Sequence, residues 1–415
     1  MSRFPLPRLA LRSVLNRRAT AILTALTVAI SVTLFLGVEK VRHGARASFE
    51  NTISGTDLIV GARSSPINLL LYSIFHIGDP TNAISWQSYE AVSGAPSVAW
   101  TVPISLGDSH RGFRVVGTDN RFFEHYKYAN RRDLEFAGGG PLEDTFSAVI
   151  GARVADELGY EVGGELIVAH GGGEFSFVQH DQNPFTLTGI LAPTGTPVDR
   201  SVFVRLDGLD AIHDGAGTGD AHTEDDHAHA EPDQITAFLV GLDHPTAALR
   251  LQRQVNTYPD EALQAIIPGM ALVQLWSVIG AAETTLTLIA AFVVLTGLVS
   301  ILTAILTSLN ERRREMAILR ALGARPHHIF ALLVSEAALL ALAGAVLGTA
   351  LTYGLLAILA PVLEARYAIL IAQLWPGLYD LAIVAAVTGA AALLGAFPAW
   401  RAYRNSLADG MTIRV

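Results

Sequence analysis

The sequence predicts a membrane protein with four transmembrane α-helices and a large α+β domain inserted between the first and second spans. Three observations carry that expectation. Of its 415 residues, 51% are apolar and only 16% charged, a balance that argues against an ordinary soluble enzyme. Four windows are apolar for about 20 residues or more, the length that a helix needs to cross a bilayer. Basic residues gather in three short segments beside those windows, whereas acids gather in one long segment.

The spans fall at 19–38, 279–309, 329–359 and 379–400, with apolar centres at Ala19 to Val38, Thr284 to Leu309, Ile329 to Leu359 and Leu381 to Trp400. Within those centres the one ionisable residue is Glu336, near the start of the third, where capping or pairing suits it better than cargo binding. The "ARAS" at 45–48 resembles a signal-peptide cleavage site. The uncharged run before it is too long for a signal peptide, so the first span is expected to be retained. Gly344 and Gly348 form a small-xxx-small pair in the third span, beside Ala341 and Ala345, and Ala385 with Gly389 repeats the spacing in the fourth. Such pairs let helix backbones approach closely, although alanine-rich helices also produce them by chance.

Arginines and lysines near span ends set orientation. The segments 1–18, 310–328 and 401–415 carry 13 basic residues against Glu311, Glu315 and Asp409, a net charge of +10, whereas 39–278 carries 15 basic and 31 acidic residues, a net charge of −16. Both termini and the 310–328 loop are therefore expected in the cytoplasm, with 39–278 and the short loop 360–378 outside. The leading "RFPLPRLALRSVLNRR" reads as an amphipathic interfacial helix bracing the first span.

The outer segment alternates short β-branched runs, among them "DLIVGAR", "VAWTVPISL", "FRVVG", "FSFVQ", "FTLTGIL", "SVFVRL" and "ITAFLVGL", with helical stretches at Trp86 to Val92, Ala152 to Leu158 and Thr246 to Thr257. Strand–helix–strand patterns before about residue 118 and after about residue 234 are expected to pair, with the strands between them forming a second lobe.

Several chemistries are excluded. There are no cysteines, hence no disulfide, thiol nucleophile or cysteine-bound metal. A phosphate-binding loop needs a lysine after glycine, but the two lysines are Lys40 after Glu39 and Lys127 after Tyr126. No HExxH, nucleophile elbow or paired-carboxylate pattern is present, so the chain is not expected to be an enzyme. Nothing points to nucleic acid.

Two segments remain. In "ERRREMAILRALGARPHHI", 311–329, the residues Glu311 to Leu322 suit a helix that Gly323 would end. Met316, Leu319 and Leu322 recur on one side of it while Glu315 offsets the arginines on another. This stripe suits either the lipid interface or a groove on a cytoplasmic partner. The second segment, "HDGAGTGDAHTEDDHAHAEPD" at 213–233, holds four histidines and seven acids with no basic residue. It reads either as a solvated loop or as a labile zinc-handling loop with His213, His222, His227 and His229 as ligands, to which His170, His180 and His244 are candidate additions. His43, His76, His110 and His125 read as ordinary surface or core histidines.

The block "NERRREMAILRALGARPHHIFALLVSEAALLALAGAVLGTALTYGL" at 310–355 resembles the signature of the FtsX-like and MacB-like ABC transporter permease family. "GTDLIVGA", "GTDNRFFEHYKYANRRDLEFAGG", "VIGARVADELGYEVGGEL", "FTLTGILAPTGTPVDRSVFVRL" and "PAWRAYRNSLADGM" resemble that family's periplasmic core and tail, in its order. The resemblance implies that the loop helix docks on a separate ABC ATPase, with Glu315, Met316, Leu319, Arg320, Leu322 and Gly323 as the coupling segment. It also implies ATP bound by two copies of that partner, no intrinsic cofactor, a homodimer of this chain or a pair with a close paralogue, and an inner-membrane location. The outer segment then becomes a periplasmic MacB-like domain with a periplasmic or outer-membrane partner. The implied function is mechanotransmission, in which ATP hydrolysis moves the periplasmic domain for export or envelope trafficking, with a zinc link raised by the histidine loop. Two alternatives stand beside it, an FtsX-like regulator of a periplasmic cell-wall hydrolase and a membrane-anchored periplasmic metal sensor. An outer segment of roughly 240 residues favours the MacB-like branch over the regulator.

Overall fold

The computed structural model describes residues 17–52, 54–129, 131–170, 184–214, 232–311, 318, 321, 324–367 and 375–404. The chain divides into two compact units, Met1–Gly44 with Ala281–Leu363 and Ile371–Val415, and Ala45–Gly280 with Glu364–Leu370.

The second unit is built on an eleven-stranded sheet. Its main strands are β1 (Leu58–Ala62), β3 (Val98–His110), β4 (Phe113–Thr118), β7 (Phe136–Gly139), β8 (Ser147–Ile150), β11 (Phe185–Leu191), β12 (Ser201–Arg205), β14 (Ala237–Leu242) and β15 (Leu263–Ile266), in the order β15-β1-β14-β3-β4-β12-β8-β11-β7. Short strands β9 (Glu165–Leu166) and β10 (Ala169–His170) add to β11 and β3. The remaining two-residue strands, β2 (Ile84–Ser85) with β13 (Gln234–Ile235) and β5 (Lys127–Tyr128) with β6 (Arg132–Asp133), form separate ribbons. Most neighbours are antiparallel, but β4 with β12 and β8 with β11 run parallel.

Strands before residue 118 and after 234 are bonded neighbours, with Leu58 opposite Val240 and Leu239 opposite Val102. The strands between them continue the same sheet through β4 and β12 instead of forming a sheet of their own. The packing beneath this sheet divides among separate cores. Ile59 faces a central core with Leu69 and Leu70 of α2 (Pro66–Ile74), whereas Leu58 and Val60 face a second core with Tyr89 of α3 (Trp86–Ser93). Alternate residues of a strand point to opposite faces, and burial of both faces explains why β1 is apolar throughout. In β12, likewise, Phe203 joins the central core while Val202 and Val204 meet a third core with Val154 of α5 (Ala152–Leu158) and with Leu209 and Ile212 of α6 (Leu206–Asp214). The short α4 (Arg121–His125) supplies Phe122 and Phe123 to the centre, and α7 (Ala248–Asn256) buries Leu251 and Val255 one turn apart.

The first unit contains most of each long helix. Among the described residues four are apolar and long enough to cross a membrane: α1 (Arg18–Thr52), α8 (Pro268–Glu311), α9 (Pro326–Tyr367) and α10 (Leu378–Arg404). All four extend beyond the apolar centres read from the sequence. Val28, Val32 and Leu36 of α1 form one core with Leu298, Ile301 and Ile305 of α8, Leu333, Ala337 and Ala341 of α9, and Val387 and Ala391 of α10. At Gly344 an added Cβ would stand 2.7 Å from the carbonyl oxygen of Ala25, and at Gly348 it would stand 2.6 Å from that of Ala29. The Thr33 hydroxyl donates to the Gly348 carbonyl at 3.0 Å across the same contact. Gly389, by contrast, has nothing within 4 Å of that position.

Gly348→Ala should therefore destabilise the chain by about 1–3 kcal/mol through overpacking, and Gly348→Val by more. Gly354→Ala, where nothing lies within 4 Å, should be neutral or stabilising by up to about 1 kcal/mol from helix propensity. Thermal unfolding of the full chain in detergent checks the order; equal melting of Gly348→Ala and Gly354→Ala would refute the close approach.

Candidate functional site

A polar cluster crosses one end of the helix bundle. Asp380 lies in the first turn of α10 and is fully buried. Its Oδ2 accepts from Lys40 Nζ of α1 at 3.1 Å, from the Tyr353 hydroxyl of α9 at 2.7 Å and from the Gly377 backbone N–H at 2.7 Å. A helix N-terminus favours such a carboxylate. Two residues beyond Lys40, Arg42 donates to Glu39 at 2.7 Å and stands 3.9 Å from Glu283 of α8. Lys40 and Arg42 thus link α1 to α10 and α8, and Tyr353 of α9 joins through the same carboxylate. Sequence reasoning left this cluster out, because Lys40, Glu283 and Asp380 flank the apolar centres and read singly as span-end charges. Glu336 lies within an apolar centre, whereas these three residues lie just outside the centres. The helices start earlier or end later than the apolar windows and carry these charges within them.

The predicted coupling residues Glu315, Met316, Leu319, Arg320, Leu322 and Gly323 lie outside the described residues. Of that segment, Ile318 is helical and 52% exposed. After it, Ala324 is buried, and the Arg325 N–H donates to His328 Nδ1 at 3.1 Å, which turns the chain into α9 at Pro326. Proline suits a first helical turn because its missing N–H would have no helical partner there. Glu336 is buried in α9, one turn from Leu333 and beside Ala337 of the four-helix core.

Of the proposed zinc ligands, His222, His227 and His229 lie outside the described residues, as does His180, and His213 is described only as part of α6. His244, two residues past the end of β14, is exposed. Among the described residues no group of three or more histidines and acids is placed to hold a metal. Other histidines are occupied by the fold. His110 is buried between the Ile167 carbonyl, 2.6 Å from Nδ1, and the Tyr160 hydroxyl, 3.0 Å from Nε2. His125 stacks on Trp100 with ring centres 4.6 Å apart. His76 Nδ1 lies 2.7 Å from Ser201 Oγ, whose own hydrogen goes to the Pro197 carbonyl at 3.0 Å, so the imidazole donates.

A shallow cleft of about 290 Å³ lies over α4, lined by Asp119, Asn120, Arg121, Glu124 and Arg205. Both arginines are already neutralised, Arg121 by Asp119 at 3.0 Å and Arg205 by two bonds to Asp207 at 2.9 and 2.8 Å. The cleft therefore offers no uncompensated cation to an anionic ligand.

Comparison with known proteins adds two matches that together cover nearly all of the chain. Residues 21–258 match the MacB-like periplasmic core domain, and residues 287–407 match the FtsX-like permease C-terminal region. Two solved structures align with part of it. The periplasmic region of MacB from Actinobacillus actinomycetemcomitans is 9% identical with a TM-score of 0.34, over 54% of this chain and 94% of that one. The extracellular domain of the noncanonic ABC-type transporter YknZ from Gram-positive bacteria is 12% identical with a TM-score of 0.31, over 51% and 99%. No curated protein matches the sequence.

Two histidines of the sheet unit, His76 half-buried and His110 buried, predict an acid sensitivity. Burial, assisted by the Arg114 charge, lowers the His76 pKa from 6.5 to about 4, and burial lowers that of His110 as well. Between those values the unfolded chain takes up a proton that the folded chain refuses, so stability falls as the pH drops from 6.5 towards 4. The slope from His76 is at most about 1.4 kcal/mol per pH unit. His76→Asn should flatten the pH dependence of thermal unfolding in this window, leaving the contributions of His110 and His125, both lowered by burial; an unchanged slope would refute the assignment.

Proposed function

The chain belongs to the family of ABC transporter permeases with a MacB-like periplasmic core domain and an FtsX-like C-terminal region, and on that premise we propose that it turns ATP hydrolysis into motion of its extracytoplasmic domain, for export or envelope trafficking. In this family the ATPase is a separate subunit, and the chain is a multi-pass membrane protein without a catalytic centre or intrinsic cofactor of its own. Both lysines are engaged away from any phosphate-binding loop, Lys40 inside α1 with Asp380 and Lys127 in β5 with Asp133.

The observation that carries the mechanical reading is the tightness of the bundle. Where α1 crosses α9 the backbones are too close for a Cβ, and a polar solute finds no path between two helices packed in this way. Force, in contrast, passes readily through close-packed helices. On this reading the termini and the 310–328 loop are cytoplasmic, as the net charge of +10 on those segments supports. The stripe Met316, Leu319 and Leu322, with Glu315, Arg320 and Gly323, docks on the ATPase. Two copies of the chain with two ATPases form the working unit, in an inner membrane.

Leu319→Asp places a charge on the docking stripe. It should reduce co-purification of the ABC ATPase and its stimulated hydrolysis by tenfold or more, which corresponds to about 1.4 kcal/mol or more at a docking hot spot. Unchanged capture and stimulation would refute the coupling surface.

The 213–233 segment supports a zinc link, since it carries four histidines and seven acids without a base. On this reading the full chain binds zinc in calorimetry with a Kd of about 1 μM or tighter, near −8 kcal/mol, and a chain lacking 213–233 does not. Equal binding by both would leave the loop as a solvated insertion.

A further inference from the structure

The Asp380 cluster is only half satisfied. One oxygen of the carboxylate accepts three donors, while among the described residues the other, Oδ1, is buried with no hydrogen-bond partner, as is Arg42 Nε in the same group of charges. A tie serving only stability gains most when every buried polar atom is paired, because an orphan acceptor or donor gives up its water for nothing. Here two orphans of opposite polarity remain among the described residues. Separation of the helices would hydrate both orphans and so recover part of what breaking the ion pair loses.

We infer that Lys40, Tyr353 and Asp380 form a breakable latch between α1, α9 and α10, closed in one state of the transport cycle and open in another. This rests on the reading of the chain as an ATP-driven permease. The latch joins three helices through a single carboxylate oxygen, so a small displacement of α1 breaks its ion pair while Tyr353 still holds Asp380. Arg42 and Glu283, at 3.9 Å, form the looser contact to the fourth helix.

The native chain has no cysteine, so Lys40→Cys with Asp380→Cys gives a specific cross-linking pair. The test uses the full chain with its ABC ATPase in nanodiscs, a short bis-methanethiosulfonate reagent, and the nucleotide-free and ATP–vanadate states. Cross-linking should differ between the two states by about fivefold or more, the lower range of allosteric coupling. The cross-linked complex should lose ATP turnover to a similar degree and regain it on reduction. Tyr353→Phe, which removes one donor and no charge, provides an independent check. It should change basal hydrolysis by about twofold or more if the latch gates the cycle. Equal cross-linking in both states with undiminished turnover overturns the latch, as does a Tyr353→Phe chain that melts earlier yet hydrolyses ATP at the unaltered rate. A preparation in which no ATPase binds the unmodified chain defeats the permease reading instead, so the two failures are distinguishable.

Discussion

Lipid tails are as apolar as leucine, so helices in a bilayer gain little from burying leucine against leucine and depend on how closely their backbones approach. In this chain α1 makes that approach. Its Ala25, Val28, Ala29 and Val32 lie where side chains at Gly344 and Gly348 would have to stand, and its Ser31 hydroxyl reaches the Val293 carbonyl of α8 at 3.0 Å. The shared core of α8, α9 and α10 closes around this helix. Further along, the same helix carries Lys40 and Arg42, so one element supplies both the apolar seam and the charges at its end.

Backbone polarity explains why the remaining polar groups sit where they do. In hydrocarbon every N–H and C=O must be satisfied within the protein, which leaves helices as the economical solution. Serine and threonine hydroxyls on these helices return to carbonyls one turn back, as Thr27, Thr303 and Thr349 do. A full charge has no such local remedy. Lys40 and Asp380 are found at the bundle end, where partners from several helices converge, and Glu336 is enclosed near the other end.

The sheet unit solves a different problem. Its strands are buried on both faces, so alternation of polar and apolar residues is weak in β1 and β12, and β-branched runs replace it. One central core lies beneath almost the whole sheet, and two smaller ones cover its opposite face under separate helices. This arrangement joins segments distant in sequence, such as β1 and β14, into neighbouring strands.

The sequence by itself determined the class of molecule. Apolar length located the spans, the concentration of arginine beside them suggested their orientation, and β-branched runs marked most strands, because each of these signals is local and survives without knowledge of neighbours. It also pointed to Gly344 and Gly348, although the same spacing at Ala385 and Gly389 faces open space, and nothing in the sequence distinguishes the two. Only the tertiary structure decided that the strands of the supposed second lobe extend a single sheet, since register depends on pairs more than a hundred residues apart, such as Leu58 and Val240. It also decided the Lys40–Tyr353–Asp380 cluster. Each of those residues alone reads as an ordinary span-end group, and their chemistry exists only because three helices bring them to the same carboxylate oxygen.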